Sequence, residues 1–392
     1  MKKFIPLSVP NLRGNELKYV TDAIEKEWVS TGGAYINKFE EYLARYVESN
    51  DAVACQSGTA GLHLSLLLSG VDSNSEVIVP TLTFIAAVNP VRYVGAEPIF
   101  MDCDDSLNMD MEKLYEFCKT ECEFIDGRLI NKKSNKHIRV IVIVHVFGNI
   151  ADMQKIMFLA KTFNLKVIED ATEALGSKFN SGVYKGKFAG TIGDFGVYSF
   201  NGNKIITTGG GGMLVARDIK DLKKARYLST QAKDDELFYI HNEVGFNYRM
   251  TNLQAAVGLA QIEMLDKFIN VKKKNYELYR KLIQDIKGLE LLDFKEDVDA
   301  NYWFYSLIID EEEFGMGRDT LLKCLEEENI QTRPIWGLIS EQLPYIKSER
   351  YKITNAPKLI KKILNIPCSS NLKEEDVYRV VDVIKNLQVK VR

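Results

Sequence analysis

A single lysine, Lys204, stands in YSFNGNKIITTGGGG, five residues before four consecutive glycines. At its ordinary pKa of about 10.4 a lysine is an idle ammonium. Where the cation is disfavoured it becomes a nucleophile able to form a Schiff base. Glycines beside it let another group approach the backbone closely. Other stretches carry complementary chemistry. QSGTAGLH, residues 56–63, reads as a strand end, a Ser-Gly-Thr turn and a helix start. Backbone N–H groups and the hydroxyls of Ser57 and Thr59 there meet the positive end of a helix, a ready anion site. LKVIED ends a buried strand on Asp170, and a buried carboxylate needs a cation or strong hydrogen bonds. TLTF and YSF supply Phe84 and Phe200, and HVFG supplies His145. Taken singly, each has an ordinary structural explanation: helix caps, core aromatics, a satisfied strand-end histidine.

The elements that must position these groups alternate. DAVACQSG, EVIVPT, EPIFMDCD, RVIVIVHVFG and LKVIEDAT read as strands. TAGLHLSLLLSG, FIAAVNPVRYVG, MDMEKLYEFCKT and MQKIMFLAKTFN read as the helices between them. The apolar run RVIVIV suits a central parallel strand buried on both faces. GDFGVYSFN and GGMLVARD add further strands. This alternation indicates an α/β fold with a largely parallel sheet, in which ligands bind beyond the carboxyl ends of the strands. Two helices, at residues 16–30 and 37–48, precede it. The polar stretch 119–137 reads as a surface insertion, a hairpin being the simplest form. From Asn252 the character changes to a long helical stretch and then mixed segments. We therefore expect a large domain over 13–251 and a smaller α+β domain over 252–392, with residues 1–12 packing on the latter.

Composition excludes several classes. The chain has 392 residues, 46% hydrophobic and 27% charged, and its net charge of −3 arises from 51 basic and 54 acidic residues. That balance gives no electrostatic case for nucleic acid or an anionic membrane. No apolar run approaches a membrane span, and MKKFIPLSVP has no apolar h-region, so a cytoplasmic protein is expected. Cysteines at Cys55, Cys103, Cys118, Cys122, Cys324 and Cys368 lack zinc-ligand or CxxC spacing and read as free thiols; no metal is expected.

A lysine for a Schiff base, a carboxylate for a pyridine nitrogen, an aromatic for a ring face and hydroxyls with backbone donors for a phosphate are the parts a pyridoxal 5'-phosphate site requires. At this point the chain resembles the DegT/DnrJ/EryC1/StrS sugar aminotransferases, of the aspartate-aminotransferase-like fold type I. The resemblance runs through GNELKYVTDAIEKEWVSTGG, QSGTAGLHLSL, PTLTFIAAVNPV, HVFGN, IEDATEALGS, GDFGVYSFNGNKIITTGGGGMLV and GFNYRMTNLQAAVGLAQ. It implies a large, mostly parallel sheet sandwiched by helices and a smaller C-terminal α+β domain. It further implies that Lys204 carries the cofactor's aldehyde, that Asp170 partners the pyridinium nitrogen, and that Phe84 stacks on the ring. Gly58, Thr59 and Ser199 correspond to phosphate contacts. Asn247 corresponds to an asparagine that reaches the cofactor phosphate of a neighbouring subunit, implying a homodimer with shared sites. Thr31 borders the substrate pocket, and Arg249 is a candidate on the substrate side.

Two positions depart from the family pattern. Glu173 stands where relatives commonly have His or Gln near the cofactor's phenolic oxygen, and Gly210 replaces the acid of TTGEGG. EDATE, the 119–137 insertion and HNEVGFNYRM resemble the branch acting on UDP-linked 4-keto-6-deoxy-N-acetylhexosamines. The resemblance implies amino transfer from L-glutamate to the C4 ketone of such a sugar, for surface glycan synthesis. GDP- or dTDP-linked keto sugars, at C3 or C4, are the alternative. Three other readings compete. A sugar 3-dehydratase of the same family would carry histidine in place of Lys204. A non-catalytic binding protein would not need the full set of cofactor residues. A nicotinamide dehydrogenase would need GxGxxG between an early strand and helix, and the glycines here come late and precede a strand.

Overall fold

The computed structural model describes residues 3–391 of the chain. Its largest feature is a sheet whose strands alternate with helices. The strands are β1 (Val53–Cys55), β2 (Ser75–Pro80), β3 (Glu97–Met101), β4 (Cys122–Ile125), β5 (Arg128–Asn131), β6 (His137–Val144), β7 (Lys166–Asp170), β8 (Lys178–Phe179), β9 (Phe195–Ser199) and β10 (Gly212–Ala216). All but β8 belong to this sheet, whose main path is β1-β10-β9-β7-β6-β2-β3 followed by Glu349–Tyr351. Along that path only β10 runs against the others. The reversal follows from its connection: the loop from β9 holds Lys204 and the glycines and has no crossover helix, so β10 returns beside its predecessor. The stretch 119–137 contains the hairpin β4–β5, which pairs onto the start of β6 and so extends the sheet.

Alternation along the central strands explains why both faces are covered. Ile78, Ile99, Ile141, Ile143 and Val167 point into one core, while Val77, Val79, Phe100, Val140, Val142 and Ile168 point into another. Successive side chains of a strand face opposite ways, so near-continuous apolar runs bury two faces. Helices α1 (Glu16–Glu25) and α2 (Ala34–Tyr46) lie on the first face and α3 (Gly58–Leu68) against the second.

A third core joins Tyr276, Tyr279, Tyr305, Leu307, Leu364 and Val377 with Ile5 and Leu7. It covers a four-stranded antiparallel sheet, in the order Leu289–Leu291, Tyr305–Ile309, Ile363–Ile366, Arg333–Pro334. The N-terminal segment joins it through a bridge between Ile5 and Ile330. The change of core falls later than residue 252. Helix Asn252–Ile262 packs on α1 and α2, and Ala255, Ala256, Leu259 and Phe268 lie in the first core. The C-terminal part also returns to the large sheet through Glu349–Tyr351, and Val298–Asp299 pairs with β8.

Candidate active site

The carboxyl ends of β1, β2, β7 and β9 converge on a cavity of about 260 Å³. Its lining includes Gly58, Thr59, Phe84, Asp170, Glu173, Ser199 and Lys204, brought together from four strand ends and the β9–β10 loop. Ser57 caps α3, its hydroxyl accepting from the Ala60 N–H at 3.1 Å. The first-turn N–H groups of a helix lack intrahelical acceptors, and this turn carries no acidic side chain. A positive helix end therefore faces the cavity at Gly58 and Thr59. A Cβ on Gly58 would stand 3.0 Å from Thr172 Cγ2 and 3.1 Å from Ser199 Cβ. Its absence lets Thr172 and Ser199 close around the helix start, a cradle sized for a small anion.

The glycine run serves the same end. Gly209 (φ 78°) and Gly211 (φ 155°) take conformations disfavoured for other residues. Gly212 passes so close beneath the start of α3 that a Cβ would lie 2.5 Å from Gly58 N. The run is a close turn, and its last glycine lets β10 run under the cradle.

Asp170 closes β7 almost fully buried, accepting from the Thr172 N–H at 3.0 Å. Burial pushes its pKa up. The Thr172 hydrogen bonds and the Lys204 ammonium pull the other way without offsetting it. Among the described residues no cation stands at ion-pair distance from it, so this carboxylate lacks a cationic partner among them. Behind it, His145 Nδ1 accepts from the Ala151 N–H at 3.2 Å, which puts the ring proton on Nε2. That proton is donated to Glu169 Oε2 at 2.8 Å. Glu169 also accepts backbone N–H bonds from Gly190, Ile192 and Gly193. Phe84 stands at the opening, 53% exposed, an unusual cost for a phenylalanine and a free face for a planar ring. Phe200 is fully buried in the first core.

Lys204 enters through the β9–β10 loop with its side chain only 12% exposed and its Nζ 3.7 Å from Glu173 Oε1. The ammonium also sits over the Trp303 ring, 4.3 Å from the centroid. Glu173 Oε2 accepts from the Phe147 N–H at 2.9 Å. Burial pushes Glu173 up to about 7 against the lowering pull of Lys204 and that N–H, with Asp170 adding to the rise.

Several of these partners carry no local signal in the sequence. Asn301 donates to the carbonyls of Glu173 and Leu175 at 2.9 and 3.0 Å and accepts from the Trp303 N–H at 3.0 Å. Trp303 Nε1 in turn donates to Asn203 O at 2.8 Å, beside Lys204. Asn301 and Trp303 both lie ahead of the strand Tyr305–Ile309 rather than within it.

Three expected residues do not border the cavity. Thr31 is exposed in the loop between α1 and α2, and Asn247 is exposed on the surface. Arg249 is turned inward, both its terminal nitrogens bonded to Glu40, which also takes Arg226 Nη1 at 2.7 Å. The substrate-side expectation for Arg249 thus meets no contact with the cavity.

The donor set fits pyridoxal 5'-phosphate: an anion cradle at a helix start, a buried carboxylate lacking a cation, an exposed aromatic face and a buried amine. The scaffold is that of the fold type I transaminases. The DegT/DnrJ/EryC1/StrS aminotransferase family matches residues 10–385, and the chain belongs to that family, whose members depend on pyridoxal phosphate. It is a sugar aminotransferase of that family. GDP-perosamine synthase of Escherichia coli O157:H7 is 38% identical over 97% of this chain and 98% of its own length. UDP-4-amino-4,6-dideoxy-N-acetyl-beta-L-altrosamine transaminase of Campylobacter jejuni is 27% identical over 99% and 98%. Among solved structures, DesI in the presence of its TDP-sugar product superposes with a TM-score of 0.86 at 25% identity, covering 100% of this chain and 94% of DesI. Among the described residues no helix is long and apolar enough to cross a membrane.

Proposed function

We propose that the protein moves an amino group from L-glutamate to the C4 ketone of a nucleotide-linked 4-keto-6-deoxy sugar, with a UDP-linked N-acetylhexosamine as the preferred acceptor. The observation that carries the reading is the convergence of Lys204, Asp170 and the start of α3 on one cavity. Gly58, Thr59 and Ser199 would hold the cofactor's phosphate, Asp170 its ring nitrogen, Phe84 its ring face and Glu173 its phenolic oxygen. Lys204 would bind its aldehyde. When bound, the cofactor supplies an electron sink for charge developing on the amino carbon.

The chain's own groups do the rest. Asp170 keeps a proton on the ring nitrogen because a cation there relieves an otherwise unpaired buried carboxylate. The Lys204 amine removes the proton from the α-carbon of glutamate and later delivers one to C4 of the sugar. Walls formed by Phe84, Ala86, Ala87 and Val144 keep water from the reacting carbons. Asn247, exposed on the surface, suits a reach into a neighbouring subunit's site, so we read the working form as a homodimer. Thr31 is assigned to the substrate border on the resemblance alone.

A second reading, a GDP-linked keto sugar as acceptor, is favoured by one observation: identity to the named GDP-perosamine synthase is 38%, against 27% for the named UDP-sugar transaminase. Product analysis with UDP-, GDP- and dTDP-linked 4-keto sugars and glutamate decides between them. Lys204→Ala is expected to abolish turnover and the visible absorbance of bound cofactor. Amination at the wild-type rate by that variant would sink the mechanism. A wild-type protein without visible absorbance, unchanged by glutamate, would instead point to a non-catalytic binding protein.

A further inference from the structure

Glu173 stands where the family resemblance leads to an expectation of His or Gln, and its surroundings are unusual for a carboxylate. It is buried, and only one of its oxygens has a fixed partner, the Phe147 N–H at 2.9 Å. That donor is aimed by a backbone in the left-handed region, Phe147 having φ 56°. The other oxygen faces Lys204 Nζ at 3.7 Å. The Glu173 backbone is pinned by Asn301, which also fixes Trp303 over the same ammonium. The structure thus invests two segments, near residues 147 and 301, in keeping one carboxylate oxygen opposite the reactive amine.

We propose that Glu173 is the proton acceptor for Lys204: when the amine acts as a nucleophile, its N–H bond breaks, an O–H bond forms on Glu173 Oε1, and the proton stays in the pocket. The ammonium and carboxylate become an amine and a carboxylic acid, so the pair carries no net charge before or after. The energetic basis is the single N–H donor and the nearby Asp170 charge. Once Lys204 is uncharged, little is left to stabilise a buried Glu173 anion, and it holds the proton. While Lys204 is charged, its pull favours the ionised form of Glu173. The groups that act on Glu173 are Lys204, Asp170 and the Phe147 N–H, with His145 acting on Asp170 from behind. Burial and these neighbours together put its midpoint at about 7, where a carboxylate can both take and return a proton. The separation exceeds a hydrogen bond, as is common before a site is filled.

This inference rests on the reading of Lys204 as the reactive amine, yet its first test needs no cofactor. With carbon-13 in the glutamate carboxyls and Glu173→Gln to assign the signal, the protonation of Glu173 is followed by infrared or NMR titration of the cofactor-free protein. In Lys204→Met the Glu173 midpoint is expected to move up by about one pH unit or more, the effect of losing an opposite charge at this distance. A midpoint unchanged by Lys204→Met would overturn the proposal. The second test counts protons. On adding pyridoxal phosphate to weakly buffered protein near pH 7.5, Glu173→Gln should release about half a proton or more per site beyond wild type. Equal release by both proteins would also overturn it. If the wild type captures no pyridoxal phosphate at Lys204, the functional reading fails, while the cofactor-free titration still decides whether Glu173 answers to Lys204.

Discussion

At the residue scale, the cavity separates groups that stabilise the fold from groups held at its expense. Asp170 is of the second kind. Its pKa is raised in the fold, so ionising it above the ordinary carboxylate range weakens the cofactor-free protein. Asp170→Asn keeps an oxygen for the Thr172 N–H and removes the buried charge. The cofactor-free variant should melt at or above the wild-type temperature in thermal unfolding while losing turnover by about a thousandfold or more, a loss of roughly 4 kcal/mol of transition-state stabilisation. A melting point several degrees lower would contradict this account of the site. Gly58→Ala tests the anion cradle. The added methyl meets Thr172 and Ser199 at 3.0 and 3.1 Å, so those side chains must give by a few tenths of an ångström, while alanine favours the helix. We expect near-normal melting but about tenfold weaker pyridoxal phosphate binding by absorbance titration.

Much of this scale was legible in the sequence, because the cavity residues lie within a few positions of strand ends that local patterning marks. The turn at Gly58 and Thr59, Phe84 and Asp170 could be placed that way and Lys204 by its setting beside the glycines, whereas Glu173 and Ser199 came from the family resemblance; all line the cavity. Asn301 and Trp303 could not. They arrive about a hundred residues after Lys204 on an irregular segment, Tyr302 having φ 54°, and no pattern links an apolar run to a distant lysine. The inward turn of Arg249 is decided by Glu40 on α2, a partner that only the tertiary fold reveals.

At the element scale, one buried carboxylate ties the C-terminal part to the large sheet. Asp102, just past β3, accepts from the backbone N–H groups of Thr354, Asn355 and Ala356 and from Lys113 Nζ. It thereby caps the helix Ala356–Lys362 from another part of the chain. Although burial raises it, the Lys113 ammonium and these N–H groups bring its carboxyl down to about 2. A lowered carboxylate contributes stability that is present above its unfolded value near 3.8 and disappears as pH falls through about 2. Allowing for partial solvent screening, the contribution at neutral pH is about 1–2 kcal/mol. Asp102→Asn should lower the melting temperature at pH 7, and the gap from wild type should narrow steadily below pH 4, by calorimetry. Sequence reading sees only an aspartate in DCDD, for three of its partners lie some 250 positions away. The same remoteness explains why the large core runs past residue 252. The apolar face of Asn252–Ile262 is plain in the sequence, but not that α1 and α2 receive it.

At the scale of the whole molecule, exposed apolar side chains gather on one hairpin. Phe238 and Tyr239 on the hairpin spanning Lys233–His241 are each 72% exposed. If sites are shared through Asn247, sedimentation should give twice the chain mass. Lys204→Ala and Asn247→Ala chains, each impaired alone, should recover about a quarter of wild-type activity when unfolded and refolded together, because half the dimers would be mixed and hold one intact site. No recovery beyond the sum of the two parents would rule out sharing through Asn247.

The strand Glu349–Tyr351 carries a consequence for how the protein is made. It completes the sheet in register with Ile99–Met101, yet the ribosome adds it some 250 residues later. At about 5–20 residues per second, the nascent chain presents a bare β3 edge for roughly 10–50 s. Biosynthesis, rather than the finished enzyme's working life, is then its period of greatest exposure to aggregation. A chain terminated just before Glu349 should partition into the insoluble fraction in cell-free translation, and supplying a chaperone during those seconds should matter more than supplying it afterwards.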